Sequence, residues 1–203
     1  MGFDLYGIKP HNPDNLVKPE IDHDNWQTLS EEEQQKYWDA DTEYHNKVVG
    51  EYFRNNVWWW RPLWAYVCEH AGELLNDKDE EYGQSNDAHI ISNKKANYIG
   101  IKLLDLVNSG HTEEYQKEYM IEYNIAKEHN EEIEKACKIL QEIVKDAYDT
   151  KESVAPCDYP NKEKAEWDAL QAQKNWNSSY PFSAENVEEF AHFCMESGGF
   201  RIC

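Results

Sequence analysis

At 203 residues the chain has the length of one domain, and its 40 acidic against 20 basic side chains leave a formal net charge of −20. That balance speaks against a general binder of the phosphate backbone, whose footprint is basic, and suits a cation, a basic protein partner or plain solubility. No apolar run long enough to cross a membrane occurs, the start lacks the basic and apolar regions of a signal peptide, and five scattered cysteines without a C-x-x-C pair read as reduced thiols.

The opening stretch GFDLYG alternates Phe3 and Leu5 against Asp4 and Tyr6 between glycines, the pattern of a short strand. Residues 10–28 hold Pro10, Pro13 and Pro19 and read as an irregular loop. Ser30 with Glu33 forms a capping box that opens a helix from about Glu31 to Val48, with Tyr37, Trp38, Asp41, Tyr44 and Val48 on one face and Gly50 after it. Pro62 suits the first turn of a helix, and Leu63, Trp64, Val67, Cys68, Ala71, Leu74 and Leu75 follow at helical spacing. The expected helix therefore runs from Pro62 to Leu75, with Trp58–Trp60 on its approach. Residues 76–89 read as a polar loop. Ser92 then caps a helix whose apolar stripe is Ala96, Ile99, Leu103, Leu106 and Val107, stopped by Gly110.

From Thr112 onward Tyr119, Tyr123, Ala126, Asn130, Ile133, Cys137, Leu140, Val144 and Ala147 step alternately by four and three. That is a heptad seam free of Pro and Gly, and it predicts one long helix over 112–148 whose seam packs on a neighbouring helix or on a second copy, with dimerisation expected if the helix projects from the body. Asn130 inside the seam is suited to fixing register. Lys162–Asn175 forms a further helix, and Ser183 caps a last one through Val187, Phe190, Ala191 and Cys194, ended at Gly198–Gly199. GFRIC alternates like the opening strand. The fold class is mainly α: a single helical domain over 1–203 with one long heptad-patterned helix and a small sheet in which the N- and C-terminal strands pair.

Candidate chemistry gathers in Glu51–Val67, EYFRNNVWWWRPLWAYV. Successive helical side chains turn by about 100°, so Trp58, Trp59 and Trp60 cannot all enter one core and at least one lies at an edge or groove. Arg54 and Arg61 flank this run, and Arg201 is the only other arginine. A planar guanidinium pairs with carboxylate or phosphate and stacks on indole, whereas internal ion pairs and an aromatic core wedge are the plain packing alternatives. The expected ligand-binding set is Arg54, Asn55, Asn56, Trp58, Trp59, Trp60, Arg61, Trp64 and Arg201, with Arg54 and Arg61 lining an anion pocket at the helix start.

The segments MGFDLYG, GEYFRNNVWWWRPLWAYV (Gly50–Val67) and FSAENVEEFAHFCMESGGFRIC (Phe182–Cys203) resemble a protein family widespread in tailed-phage genomes and prophages. The RNNVWWWRP string is its most specific part. The resemblance implies a phage or prophage origin and a bacterial cytoplasmic setting, and implies no mechanism. It does not extend to the His11–Asn25 loop or the acidic helix after it.

No catalytic motif stands out. His11, Asp14, Asp22, His23 and Asp24, like Asn86, Asp87 and His89, lack zincin, EF-hand or deaminase spacing and read as turn formers, so neither metal nor cofactor is expected. Asp87 with His89 is the one candidate general-base pair. Ser197–Gly199 reads as a helix end rather than a nucleophile turn. The Trp-Arg block favours a protein that acts by binding a host protein or a small anionic, nucleotide-like ligand, and the resemblance implies that it does so as a phage accessory protein that counters a host defence. Nucleic acid itself is disfavoured. Two rivals stand beside this reading: an acidic DNA mimic that fills the basic groove of a host nuclease or CRISPR-type effector, and a hydrolase using Asp87 and His89.

Overall fold

The structure, a computed structural model, describes residues 2–21, 25–148, 150 and 152–203. Asp22, His23 and Asp24 lie outside the described residues. Helix, short 3-10 turns included, accounts for 64% of the described residues, which hold seven α-helices and one four-stranded antiparallel sheet. The chain divides into two compact units, one of residues 1–116 with 182–203 and one of residues 117–181.

The first unit is built on the sheet, in the order β2-β1-β4-β3. In β1 (Gly2–Gly7) the alternation buries Phe3 and Leu5, as expected of a half-buried strand. β1 pairs antiparallel with β4 (Gly199–Ile202) through Leu5–Ile202, Tyr6–Arg201 and Gly7–Phe200, so the two predicted strands do meet. Two further strands flank them, β2 (Tyr52–Asn56) beside β1 and β3 (His89–Ser92) beside β4. Both escape a reading of local pattern because each carries a single buried apolar residue, Phe53 and Ile91, and owes its extended form to its neighbour's ladder.

Ser30 and Glu33 make the expected reciprocal caps on α1 (Glu31–Lys47), which ends at Val48 with Tyr44 and Val48 buried and Trp38 half exposed. The next helix departs from expectation. α2 (Val57–Ala71) starts five residues before Pro62 and stops short of Leu75, because Asn56 caps it: its side-chain oxygen accepts from the Trp58 and Trp59 N–H groups at 3.0 and 3.1 Å. Pro62 falls in the second turn. The stretch expected as a polar loop contains α3 (Asp77–Tyr82), opened by a capping box between Asn76 and Asp79.

Helix α4 (Asn93–Asn108) buries Ala96, Ile99 and Leu103 and crosses α7 (Ala184–Glu196) closely at Gly100, where a Cβ would lie 2.7 Å from the Ala191 carbonyl oxygen. Helices α2, α4 and α7 cover the inner face of the sheet. There Trp60 stacks on Phe3 at 5.3 Å and on Trp64 at 5.4 Å, while Phe53 meets Phe190 and Phe193.

Helix α5 (His111–Ala147) is continuous through Asn130. At its start the Tyr66 hydroxyl lies 3.0 Å from Thr112 Oγ1 and 3.0 Å from His111 Nδ1, which anchors it to α2. In the second unit its seam residues Ala126, Ile133, Cys137, Leu140 and Val144 are buried, whereas Ala147 is exposed. The seam does not wait for a second copy, because residues 152–181, with α6 (Asn161–Ala172), fill it. Val154, Tyr159, Trp167 and Leu170 pack on Leu140 and Val144. Asn130 fixes this register: its amide donates to the Asn175 carbonyl at 2.9 Å and accepts the Asn175 N–H at 2.8 Å.

Candidate functional site

Strand alternation sends every second side chain of the sheet away from the helices. On that outer face Tyr52, Tyr6, Arg201 and Ile90 stand in one row across β2, β1, β4 and β3, and Arg54 faces Asp4 in the next row. Tyr6, Ile8 and Ile90 are each about half exposed, and the Tyr6 and Tyr52 rings lie 5.3 Å apart. Tyr52 donates its hydroxyl hydrogen to Asp4 Oδ1, and Arg54 Nε stands 3.4 Å from the same oxygen. Burial first, and then the bond to Asp4, hold Tyr52 protonated far above the ordinary tyrosine range.

Arg201 differs from Arg54. It is exposed, and no ion pair is made to it among the described residues. It lines a cavity of about 420 Å³ with Tyr6, Gly7, Ile8 and Cys203. This surface can offer a flat ring a tyrosine face and an anion a guanidinium that is not already neutralised.

No protein-family model, curated protein or solved structure matches the chain.

The other members of the expected ligand set scatter. Trp60 and Trp64 are fully buried, and their indole N–H groups donate to the Gly83 and Glu80 carbonyls at 2.8 and 3.1 Å, so both are core. Arg54 and Arg61 do not line a joint pocket: Arg54 stands on the outer sheet face and Arg61 is exposed on α2, which packs against the inner one. Nor is the start of α2 an open anion site, since Asn56 already occupies two of its N–H groups. Trp58 and Trp59 are partly exposed, as three consecutive indoles require. Trp59 and Asn55, whose amide donates to Asn186 at 2.9 Å, line a shallow cavity of about 290 Å³ with Ser183, Glu185 and Glu189. Its acids oppose an anion.

The Asp87–His89 pair is corrected as well. His89 Nε2 lies 2.9 Å from Asp79 Oδ1, and Asp87 is exposed. Asp79 is almost completely buried, and its other oxygen takes the Asn76 N–H at 3.0 Å and the Lys95 ammonium. Burial alone would raise its pKa, but the Lys95, His89 and Asn76 bonds together hold it below the ordinary value. Tyr82 stacks on the His89 ring at 5.6 Å. With all four neighbours engaged, the group ties α3, β3 and α4 together. Among the described residues no three His, Cys, Asp or Glu side chains gather as metal ligands.

The sequence reading places Tyr6 only as a strand residue and assigns no site role to Tyr6, Tyr52 or Asp79. Tyr52 and Arg54 alternate with Phe53 and Asn55, and Asn76-x-x-Asp79 has capping-box spacing, so both signals stand in the chain. Nothing local says that Tyr6 would lie beside Arg201.

Proposed function

We propose that this protein acts by binding, and that the outer face of its sheet holds a small anionic ligand with a flat ring, such as a nucleotide. One observation carries this reading: in a chain with 40 acids and 20 bases, Arg201 has no acidic partner among the described residues and lines the cavity beside Tyr6. A guanidinium left so in an acidic protein has an attraction to supply. Tyr6 offers the ring a stacking face, and Arg54 lies at about 12 Å between Cα atoms by strand geometry, within the joint reach of two Arg side chains. The net charge disfavours a long polyanion. A small ligand sits within about 8 Å of the guanidinium, the screening length at physiological salt, and so responds mainly to that local charge.

The resemblance of its end and central segments to a tailed-phage family supports an accessory role in the bacterial cytoplasm, where a nucleotide signal of host defence is a fitting ligand. A thermal-shift panel of mono-, cyclic and dinucleotides tests the site. A true ligand at about 100 times its dissociation constant stabilises by about 2.7 kcal/mol. Arg201→Ala should remove that shift while changing intrinsic stability by less than about 0.5 kcal/mol, and Arg61→Ala should leave the shift in place. A panel without any shift, or a shift that survives Arg201→Ala, would refute the assignment.

A further inference from the structure

Helix α5 carries a second apolar line besides its buried seam. Ile121, Ile125, Ile139 and Ile143 are 60%, 63%, 64% and 52% exposed. Ile139 follows Ile121, and Ile143 follows Ile125, by about five helical turns, so the four share one face as two pairs about 27 Å apart. Between the pairs the same strip presents Glu128, Glu132 and Lys135, all exposed, with Lys135 held by Glu132 at 2.7 Å. A patch with apolar ends and an acidic middle, on a helix whose other side the chain itself covers, has the form of a helix-docking surface.

The charges select the occupant. Antiparallel pairing of two copies, isoleucine pair on isoleucine pair, is centred on Glu132 and brings both Glu132 carboxylates together, although Lys135 then falls beside Glu128 of the other copy. Parallel pairing aligns the same acids, and each copy adds a net charge of −20. A helix with Lys or Arg in its middle meets these acids with opposite sign. We propose that the Ile121–Ile143 face of α5 docks a basic amphipathic helix of a partner protein, its apolar ends on the isoleucine pairs and its basic middle on Glu128 and Glu132.

Fluorescence anisotropy of labelled, end-capped peptides against the full chain tests this. The probe carries Leu pairs at the α5 spacing with Lys between them. One control replaces those Lys with Glu, and another keeps the composition but scrambles the Leu positions. The Lys probe should bind at least about ten-fold more tightly than either control, and more weakly as salt rises. Joint Ile125→Ser and Ile139→Ser substitution should weaken it by about ten-fold or more, and joint Glu128→Lys and Glu132→Lys should transfer preference to the Glu probe. The four positions are exposed, so far-UV circular dichroism and the unfolding midpoint should stay unchanged. Equal binding of the scrambled probe, or indifference to the isoleucine substitutions, overturns the proposal. Sedimentation that shows a dimer dissolved by the isoleucine substitutions assigns the face to a second copy and overturns it too.

Discussion

Asp79 shows how much one side chain can carry. It closes the cap of α3, accepts from His89 on β3 and pairs with Lys95 on α4, at 3% exposure. Removing one partner of a buried ion pair leaves the others uncompensated, so Asp79→Asn should cost about 3 kcal/mol in urea unfolding at neutral pH. Its native pKa is depressed, so its contribution is fully present above the unfolded value near 4 and is lost as pH falls through the lower native value. The stability profile of the variant should therefore lack part of the acid fall-off below about pH 4 that the parent shows. Equal profiles would mean that the cluster contributes nothing electrostatic. Arg201 is the opposite case at this scale: an exposed guanidinium without an ion pair among the described residues, and the reason a ligand is sought there rather than at Asp79.

Among the elements, α3 depends for its place on a missing Cβ. Gly83 follows α3 and lies over the Trp64 ring, where an added Cβ would come 2.1 Å from Cε2. Trp64 cannot retreat: it is fully buried, its N–H is bound to Glu80, and Trp60 stacks on it. Gly83→Ala should therefore destabilise by about 1–3 kcal/mol or more through overpacking, read as a lowered midpoint of thermal unfolding followed by tryptophan fluorescence. An unchanged midpoint would show that α3 can lift away without cost. The long helix teaches a related lesson. Its seam was legible as a heptad repeat, but the identity of what fills it, Tyr159, Trp167 and Leu170 of the same chain, was not, since a seam pattern reads alike for any neighbour.

At the scale of the whole molecule, β4 lies between β1 and β3, so the sheet that supports the candidate site closes only when residues 199–202 arrive. Phe200 and Ile202 are fully buried in the core. Deleting residues 199–203 leaves two cavities, each costing about 2–5 kcal/mol, and separates β3 from the sheet. Set against a usual total of about 5–15 kcal/mol, that loss should prevent the first unit from folding. Loss of near-UV circular dichroism and of a cooperative unfolding transition would be the readout. A truncated chain that kept both would show that β1 and β2 stand without β4.

By itself the sequence determined the elements whose signals act over a few residues. The Ser30–Glu33 box opens α1, Phe3 and Leu5 mark β1, an unbroken heptad marks α5, and matched alternation at Phe200 and Ile202 was enough to pair the chain ends. Capping bonds and apolar periodicity are local, so they can be read locally. Tertiary structure alone decided that Tyr52 and His89 lie in strands, that Asp79 rather than Asp87 meets His89, and that Tyr6 and Arg201 share an open face. Each of these depends on which distant strand supplies the ladder and in which register, and a shift of one residue would turn every side chain to the other face. Long-range pairing, not local propensity, therefore placed the candidate site.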